Sequence, residues 1–284
     1  MNWGKILNKL IFVFFILNII LGFFNFSKNI KAYIMTSNSQ KDIIHMLSTK
    51  NITVEANIPR IAMPKPSVWI MPENITLSEK EALVQSILGK ENVTISNIEN
   101  KRHYTKDSKR LVFDYNTMTY TDTEAAIKFE NINEKKAKKE ADLFLKKLRL
   151  GNNFKRAKVN CEKEGNIFCF TYYETINSLP VFNSRVKVIV SDRGIIYAQF
   201  NKVKITKAEA TRKYIYPADK VLFGIEDYLG TSEPIVIRGI TLGYGLSDDQ
   251  GVDIFEDEAV PTYKIDILNK DEPIYINAYT NNLQ

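Results

Sequence analysis

The chain has 284 residues, of which 44% are hydrophobic and 25% are charged, and its formal net charge is +6. These proportions are ordinary for a globular protein and exclude a wholly disordered chain. Its two cysteines are too few for a disulfide-dense scaffold or for a zinc site of four thiolates. Its two histidines, His45 and His103, lie far apart in sequence and favour neither histidine-based catalysis nor metal binding.

The first predicted element is an apolar segment near the N-terminus, Leu10–Phe26. Its length is close to the lower limit of the roughly 17–25 residues that a membrane-spanning helix needs. We therefore predict that residues 1–27 form a cytoplasmic tip and a transmembrane signal anchor. The protein would be single-pass in the cell membrane, with a cytoplasmic N-terminus and an extracytoplasmic C-terminal region. A cleaved signal peptide is the alternative, although the sequence after the segment offers no small-x-small cleavage pair.

Three residues of this segment suggest more than anchoring. Asn18, Gly22 and Asn25 follow the spacing i, i+4, i+7, which places them on one face of a helix. Small and amide residues are common where transmembrane helices pack together, so this face is a candidate partner-binding surface. In the alternative interpretation, the membrane tolerates one asparagine and Asn25 lies among the lipid headgroups.

The rest of the chain is predicted to be α+β, with helices followed by antiparallel strands. Residues 28–45 are polar and are predicted to form a membrane-proximal tether. Three helix-plus-sheet units then follow at 46–132, 133–205 and 206–284.

Capping signals mark where the helices of these units begin. Capping boxes are predicted at Ser78–Glu81 and at Thr206–Glu209. Asn133 is predicted to cap a helix over Glu134–Leu150, and Pro217 to begin a helix that ends at Gly230. A hairpin turn is predicted at Ser191–Gly194, where the glycine permits a positive φ.

Charge is unevenly distributed along the chain. Asp219–Gln284 contains 13 acidic and 4 basic residues, a net charge of −9, so residues 1–218 have a net charge of +15. The segment Glu134–Lys158 is strongly basic, with 10 basic and 3 acidic residues. Its helix is predicted to bury a stripe formed by Ala137, Ala141, Phe144 and Leu148. The lysines around this stripe form either a solvated face or a contact with anionic headgroups or with a partner's acidic surface.

Cys161 and Cys169 lie symmetrically about Gly165 in a predicted hairpin. Directly opposed positions of antiparallel strands can suit a disulfide, which an oxidising exterior would permit. A reduced, half-buried pair is the alternative.

No pattern in the sequence predicts catalysis, a cofactor or a metal ion. The acidic stretch from Asp248 to Glu258 lacks the glycine and closing glutamate of an EF-hand, and a solvated loop accounts for it better. Serine, threonine and lysine are frequent, but none follows the pattern of a nucleophile beside a positioned base. We therefore expect no catalytic, cofactor-binding or metal-binding residue, and no enzymatic activity.

The order of several short motifs resembles the YycI family, one of the paired YycH/YycI proteins that accompany the WalK (YycG) cell-wall sensor kinase of Gram-positive bacteria. The motifs are Met1–Lys5 before the apolar helix, Leu179–Asn183, Val188–Gly194, Ala259–Lys264 and Ile274–Thr280. The resemblance extends over nearly the whole chain, although each motif alone is weakly specific.

The resemblance implies an α+β outer region whose partners are a membrane sensor histidine kinase and a YycH-like companion. Leu10–Phe26 is the segment expected to contact them, and no catalytic residue is implied. The resemblance does not indicate whether the kinase is activated or inhibited. Two other functions stay open on the sequence alone: an extracytoplasmic domain that binds lipid, glycan or peptide, and a PepSY-like protease inhibitor. Nucleic acid is not an expected partner, because the predicted topology places the basic segment outside the cell.

Overall fold

The computed structural model describes residues 3–31, 33–124, 126–148, 154, 158–229, 234–246, 256–270 and 272–284. The chain forms two compact units that interleave along the sequence. Unit 1 comprises Met1–Lys65, Thr211–Thr241 and Tyr263–Leu283, and unit 2 comprises Pro66–Ala210, Leu242–Thr262 and Gln284. This division by contacts differs from the three consecutive segments of the sequence analysis, which remain a prediction.

In the residues that the structure describes, unit 1 has four helices and a small group of strands. Its elements are α1 (Trp3–Lys31), α2 (Ser37–Thr49), β1 (Ile52–Val54), α5 (Ala218–Phe223), α6 (Ile225–Leu229) and β14 (Ile274–Asn277), with parts of β12 (Ile235–Leu246) and β13 (Asp257–Ile267). β1 pairs in parallel with β12, so that Ile52 lies opposite Ile235. α2 packs on α5 and buries Ile43 and Leu47.

Unit 2 is built on an extended sheet that is mainly antiparallel. Its elements are β2 (Val68–Pro72), α3 (Leu77–Ile87), β3 (Thr94–Ile98), β4 (Lys101–Lys106), β5 (Lys109–Asp114), β6 (Thr117–Asp122), α4 (Glu134–Lys147), β7 (Lys158–Glu164), β8 (Ile167–Ile176), β9 (Leu179–Ser191), β10 (Gly194–Asn201) and β11 (Val203–Ala208). The strands follow the order β11-β2-β13-β12-β9-β10-β6-β5-β4-β3, and β8 pairs with both β9 and β7. The strand pair β12 and β9 is parallel, with Tyr244 opposite Val181.

The main core of unit 2 lies between helices α3 and α4 and one face of this sheet. Successive residues of a strand point to opposite faces, so each strand contributes alternate apolar side chains to the helix-covered face. One row of directly opposed positions crosses six strands and is almost wholly buried: Tyr104, Leu111, Tyr120, Ala198, Val188 and Phe170. Burial of such apolar area is the main stabilising contribution to a unit of this kind.

The structure confirms the α+β class with an antiparallel sheet, and it confirms two local predictions and the start of a third. The helix capped by Asn133 forms, and Ala137, Ala141, Phe144 and Leu148 are all buried. The turn at Ser191–Gly194 joins β9 to β10, with Gly194 at φ +93°. Pro217 precedes a helix as predicted, but Gly224 divides the single predicted helix into α5 and α6.

Two predicted capping boxes are wrong. In α3 the box is formed by Thr76 and Glu79, two residues earlier than the predicted pair Ser78–Glu81. The predicted box at Thr206–Glu209 lies at the end of strand β11, which pairs with β2. Local chemistry alone did not distinguish these outcomes, because Thr-x-x-Glu and Ser-x-x-Glu are equivalent capping signals.

The structure bears on two predictions about the N-terminal part of the chain, the membrane-spanning helix and the tether. Among the residues described, no helix combines the length and the apolar character needed to cross a membrane. Residues 28–45, predicted as a tether, lie largely in helices, because α1 ends at Lys31 and α2 begins at Ser37.

Most of the acidic stretch from Asp248 to Glu258 lies outside the described residues.

Candidate functional site: a basic groove beside helix α4

Helix α4 buries one apolar face and exposes its basic residues. Asn133 caps the helix by accepting a hydrogen bond from the Lys136 backbone N–H at 3.0 Å. Ala137, Ala141 and Phe144 face the sheet, while the lysines of the helix are exposed. An amphipathic helix of this kind is held by its buried stripe, which leaves its charged side chains available for contacts with other molecules.

The C-terminal half of α4 forms one wall of a hollow, which we call the basic groove. It encloses about 500 Å³. Its other walls come from α3, from the segment before α4 and from β10. The lining residues are Ser86, Lys128, Glu140, Leu143, Phe144, Lys146, Lys147 and Ile195.

Lys128 is held in place at one side of the basic groove. The backbone N–H groups of Lys128 and Phe129 both donate to the Asp192 carbonyl oxygen, at 2.9 and 2.8 Å. The Lys128 ammonium lies 2.6 Å from Glu140 Oε2 and 5.3 Å from the centre of the Phe129 ring. One of the three lysines of the groove is therefore neutralised by a carboxylate within the groove.

Lys146 and Lys147 occupy the last turn of α4. Cations are favourable there because the unpaired carbonyl groups give the C-terminus of a helix a partial negative charge. The Ser86 hydroxyl donates a hydrogen bond to the Lys147 carbonyl oxygen at 2.8 Å and links this turn to α3. Within the part of the chain that the structure describes, neither ammonium has a carboxylate at ion-pair distance.

The groove combines this positive charge with apolar side chains. Leu143 is 43% exposed, and Phe144 and Ile195 complete the apolar lining. An anionic group could approach Lys146 and Lys147 while a hydrocarbon or apolar peptide portion contacts Leu143. The basic groove is thus suited to an anion with an apolar part.

The structure does not join the two cysteines. Cys161 lies opposite Phe170 and Cys169 lies opposite Glu162, so the two sulfur-bearing side chains point to opposite faces of the β7–β8 hairpin. The predicted disulfide required Cys161 opposite Cys169, a register displaced by one residue. Partial burial, followed by the negative charges near Cys161, raises the pKa of its thiol.

The predicted transmembrane face lies on α1. Asn18 and Gly22 are exposed, and a Cβ at Gly22 would meet nothing within 4 Å. The side chain of Asn25 lies outside the described residues. The binding of a partner to this face stays a prediction.

The described residues contain no group of three or more histidine, cysteine or acidic side chains placed to hold a metal ion. His45 lies on α2 in unit 1, and His103 lies on β4 in unit 2. The absence of enzymatic activity stays a prediction.

Sequence reasoning identified the lysines of α4 but missed the rest of the groove. Ser86, Lys128 and Ile195 come from three separate parts of the chain, and none belongs to a recognisable motif. Only the basic composition of 134–158 indicated that an anion-binding surface could form here.

No protein-family model and no curated protein matches the chain. Its fold is similar to that of an uncharacterized protein from Eubacterium rectale ATCC 33656, with a TM-score of 0.54 at 11% identity, over 82% of this chain and 90% of the other. The Bacillus megaterium YpeB C-terminal domain matches with a TM-score of 0.39 at 17% identity, over 74% of this chain and 96% of that domain. The first likeness shows a shared fold alone, and the second supports no conclusion about this chain.

Proposed function

We propose that the protein is a non-enzymatic, membrane-anchored extracytoplasmic regulator of a membrane sensor histidine kinase. The observation that supports anchoring is the exposure of apolar side chains along α1, such as Phe12 at 63% and Ile19 at 57%. Large apolar side chains exposed in such numbers on one helix need a non-aqueous or protein surface to cover them.

The proposed anchor is based on the length of α1 and on the apolar run of the sequence, which continues past the part of the helix whose side chains the structure describes. The helix has 29 residues and would be about 43 Å long at 1.5 Å per residue, against about 30 Å for a hydrocarbon core. Its described side chains stop at Gly22, and the sequence extends the apolar run through Phe23 and Phe24 to Phe26. The charged residues of α1 are all lysines, and they lie near its two ends, where the interfaces of a membrane favour them.

The choice of partner is supported by the order of sequence motifs that resembles the YycI family. In this proposal, the face formed by Asn18, Gly22 and Asn25 packs against membrane helices of the kinase or of a YycH-like companion. The bound protein biases the kinase between two conformations because it binds them with unequal affinity.

A pull-down from native membranes in mild detergent tests this function. The double variant Asn18→Leu with Gly22→Leu should lose the co-purifying kinase or companion, while the amount of inserted protein stays unchanged. The matched control is Ile16→Leu with Ile20→Leu, which alters two residues with the same spacing on a different face of α1. Equal recovery of partners with both double variants would overturn the helix contact, and recovery of no membrane partner by the parent protein would overturn the regulatory function.

The basic groove favours a second function, the binding of a lipid, glycan or peptide that has an acidic group. A fluorescent fatty acid is a suitable probe, because it combines a carboxylate with a hydrocarbon chain. Lys146→Ala with Lys147→Ala should weaken its binding, and added salt should weaken binding to the parent protein. The control is Lys135→Ala with Lys139→Ala, which removes two exposed lysines of α4 that do not line the groove. Equal loss in both double variants would indicate general charge attraction and would overturn binding in the groove.

A further inference from the structure

Unit 1 exposes a cluster of tyrosine and aliphatic side chains, which we call the tyrosine surface. Its members are Tyr33, Ile34, Ile61, Met63, Tyr214 and Tyr216. We propose that the tyrosine surface lies in the headgroup region of the outer leaflet and docks unit 1 on the lipid bilayer. This inference rests on the proposed function, because it requires α1 to be a membrane anchor.

The first part of the surface is a short backbone ladder. The Ala62 N–H donates to the Tyr33 carbonyl oxygen at 2.9 Å, and the Met35 N–H donates to the Arg60 carbonyl oxygen at 2.8 Å. These bonds place Ile34 directly opposite Ile61. Both isoleucines point outward, with exposures of 40% and 58%, while Met35 and Ala62 are buried. The ladder therefore fixes two exposed apolar side chains next to each other.

The second part is a row of aromatic rings. The centre of the Tyr33 ring lies 6.5 Å from that of Tyr214, which lies 6.0 Å from that of Tyr216. Ile215 lies between Tyr214 and Tyr216 in the sequence and is fully buried, so the side chains of both tyrosines point outward. Tyr214 is 55% exposed and Tyr216 is 37% exposed. The buried Ile215 thus fixes the direction in which the two later tyrosines point.

Chain connectivity places this surface near the end of the anchor. Tyr33 follows Lys31, the last residue of α1, by two positions. Two residues span at most about 7 Å, so a membrane-spanning α1 leaves Tyr33 close to the interface. Tyr214 is brought there by its contact with the Tyr33 ring. Tyrosine is enriched at membrane interfaces because its ring is apolar and its hydroxyl can stay hydrated.

The segments that build the tyrosine surface are basic, as suits an anionic lipid surface. The three segments that build it, 33–35, 60–65 and 212–216, contain Arg60, Lys65, Arg212 and Lys213 and no acidic residue. Arg212 and Lys213 are exposed, and the Lys213 ammonium lies 5.4 Å from the centre of the Tyr279 ring. Basic residues beside a membrane anchor gain attraction from anionic headgroups. A bilayer therefore matches both the apolar and the charged parts of this surface.

Spin labels on the full-length protein in vesicles of phosphatidylglycerol and phosphatidylcholine test the proposal. The background is Cys161→Ser with Cys169→Ser, and single labels are attached through Ile61→Cys, Tyr214→Cys, Leu17→Cys and Ile95→Cys. Ile95 lies in β3 of unit 2 and is 54% exposed, which matches Ile61 in residue type and exposure. The measured quantity is the ratio of collision rates with oxygen, which partitions into lipid, and with a water-soluble nickel complex.

We expect the ratios at positions 61 and 214 to lie between that at position 95, which is in water, and that at position 17, which is within the proposed anchor. Low ratios at 61 and 214 with a high ratio at 17 would overturn docking and leave the anchor intact. A low ratio at 17 would overturn the anchor and, with it, the docking. Immobile labels at 61 and 214 that neither reagent reaches would indicate a protein partner and would also overturn docking on lipid.

Discussion

The Tyr172 hydroxyl donates a hydrogen bond of 2.6 Å to Asp142 Oδ1 and so joins strand β8 to helix α4. The tyrosine side chain is buried between the sheet and the helix, with 2% of its surface exposed. Burial, and then the negatively charged hydrogen-bond partner, raise the pKa of Tyr172. The same carboxylate also receives the Lys138 ammonium at 2.8 Å, so Asp142 connects a core residue to the lysine-rich surface of α4.

Replacing Tyr172 by phenylalanine should lower the free energy of unfolding by about 1.5 kcal/mol, the low end for a hydrogen bond to a charged group. We expect the low end because the Asp142 side chain is 41% exposed and water can replace the lost donor. Urea unfolding of the full-length protein in detergent, followed by tryptophan fluorescence, measures this loss. Tyr197→Phe is the control, because its hydroxyl makes no hydrogen bond with the described residues. Equal losses in the two variants would contradict the prediction.

Stability should fall at alkaline pH. Burial raises the pKa of Tyr120, Tyr172 and Tyr263 above the ordinary tyrosine value. A raised pKa means that the folded state holds its proton while the unfolded state releases it above about pH 10. The stabilisation is therefore complete below about pH 10 and is lost as the pH rises beyond it. Unfolding free energies measured at about pH 9 and about pH 11 should differ less in Tyr172→Phe than in the parent protein.

Gly243 in β12 has no room for a side chain. A Cβ there would lie 2.5 Å from the Pro180 carbonyl oxygen and 2.5 Å from Cζ of Phe182, whereas at Gly245 the closest atom, Thr262 Oγ1, would be 3.2 Å away. Gly243→Ala should cost about 1–3 kcal/mol of unfolding free energy, as is typical of overpacking. Gly245→Ala should cost less, because its neighbour is a side chain that can shift. The urea midpoints of unfolding of the two variants measure this difference. A Gly243→Ala variant that is more stable than Gly245→Ala would contradict the observed packing.

The capping box of α3 offers a comparison between the predicted and the observed helix start. Thr76 accepts a hydrogen bond from the Glu79 N–H at 3.3 Å, and Glu79 Oε2 accepts one from the Thr76 N–H at 2.8 Å. Thr76→Ala should lower the unfolding free energy by about 1 kcal/mol. Ser78→Ala, which removes the predicted cap, should change it by less than about 0.5 kcal/mol. A larger loss for Ser78→Ala would restore the predicted box.

The effect of Thr76→Ala should also depend on pH. Burial raises the pKa of Glu79, but hydrogen bonds from Lys202 and from Thr76 outweigh it and leave the pKa below its ordinary value. A lowered pKa stabilises the fold above the unfolded-state value of about 4.3 and ceases to do so as the pH falls through the lower folded-state value. The difference between Thr76→Ala and the parent protein should therefore shrink in acid, which unfolding curves at about pH 7 and about pH 3 can measure.

The two cysteines should be recovered as thiols. Unfolded, unreduced protein treated with iodoacetamide should gain two alkyl groups by intact mass. In the folded protein, Cys161 should react more slowly than free cysteine at the same pH, because partial burial and nearby negative charges raise its pKa and reduce its thiolate fraction. Comparing the alkylation of the parent protein with that of Cys161→Ser gives the part of the reaction that is due to Cys161. A parent protein that takes up no alkyl group when unfolded would show that the disulfide forms after all.

Helix α4 shows how far the sequence alone can determine structure. The spacing of Ala137, Ala141, Phe144 and Leu148 and the cap at Asn133 predicted both the helix and its buried face. The glycine at Gly194 likewise predicted the β9–β10 turn. These features depend on residues within one or two turns of each other, so local propensity and hydrophobic periodicity were sufficient.

The hairpin that contains Cys161 and Cys169 shows where local reasoning failed. Its turn is centred between Gly165 and Asn166, because Glu164 lies opposite Ile167. A shift of half a residue in the centre of the turn moves the register by one residue and sends the two cysteines to opposite faces. The register is fixed by β8, whose alternate residues Phe168, Phe170 and Tyr172 must face the core.

Tertiary contacts alone decide two features of the molecule. One is the conformation of Thr206–Glu209, and the other is the formation of the basic groove. Strand β11 pairs with β2, and the Trp69 indole N–H donates to Glu209 at 3.2 Å, so the capping signal at Thr206 does not begin a helix. The groove brings Ser86, Lys128 and Ile195 to the end of α4 from distant parts of the sequence. Composition and periodicity thus determined the class of fold and helix α4. Tertiary packing determined the basic groove, because the residues that line it become neighbours only when distant strands and helices pack together.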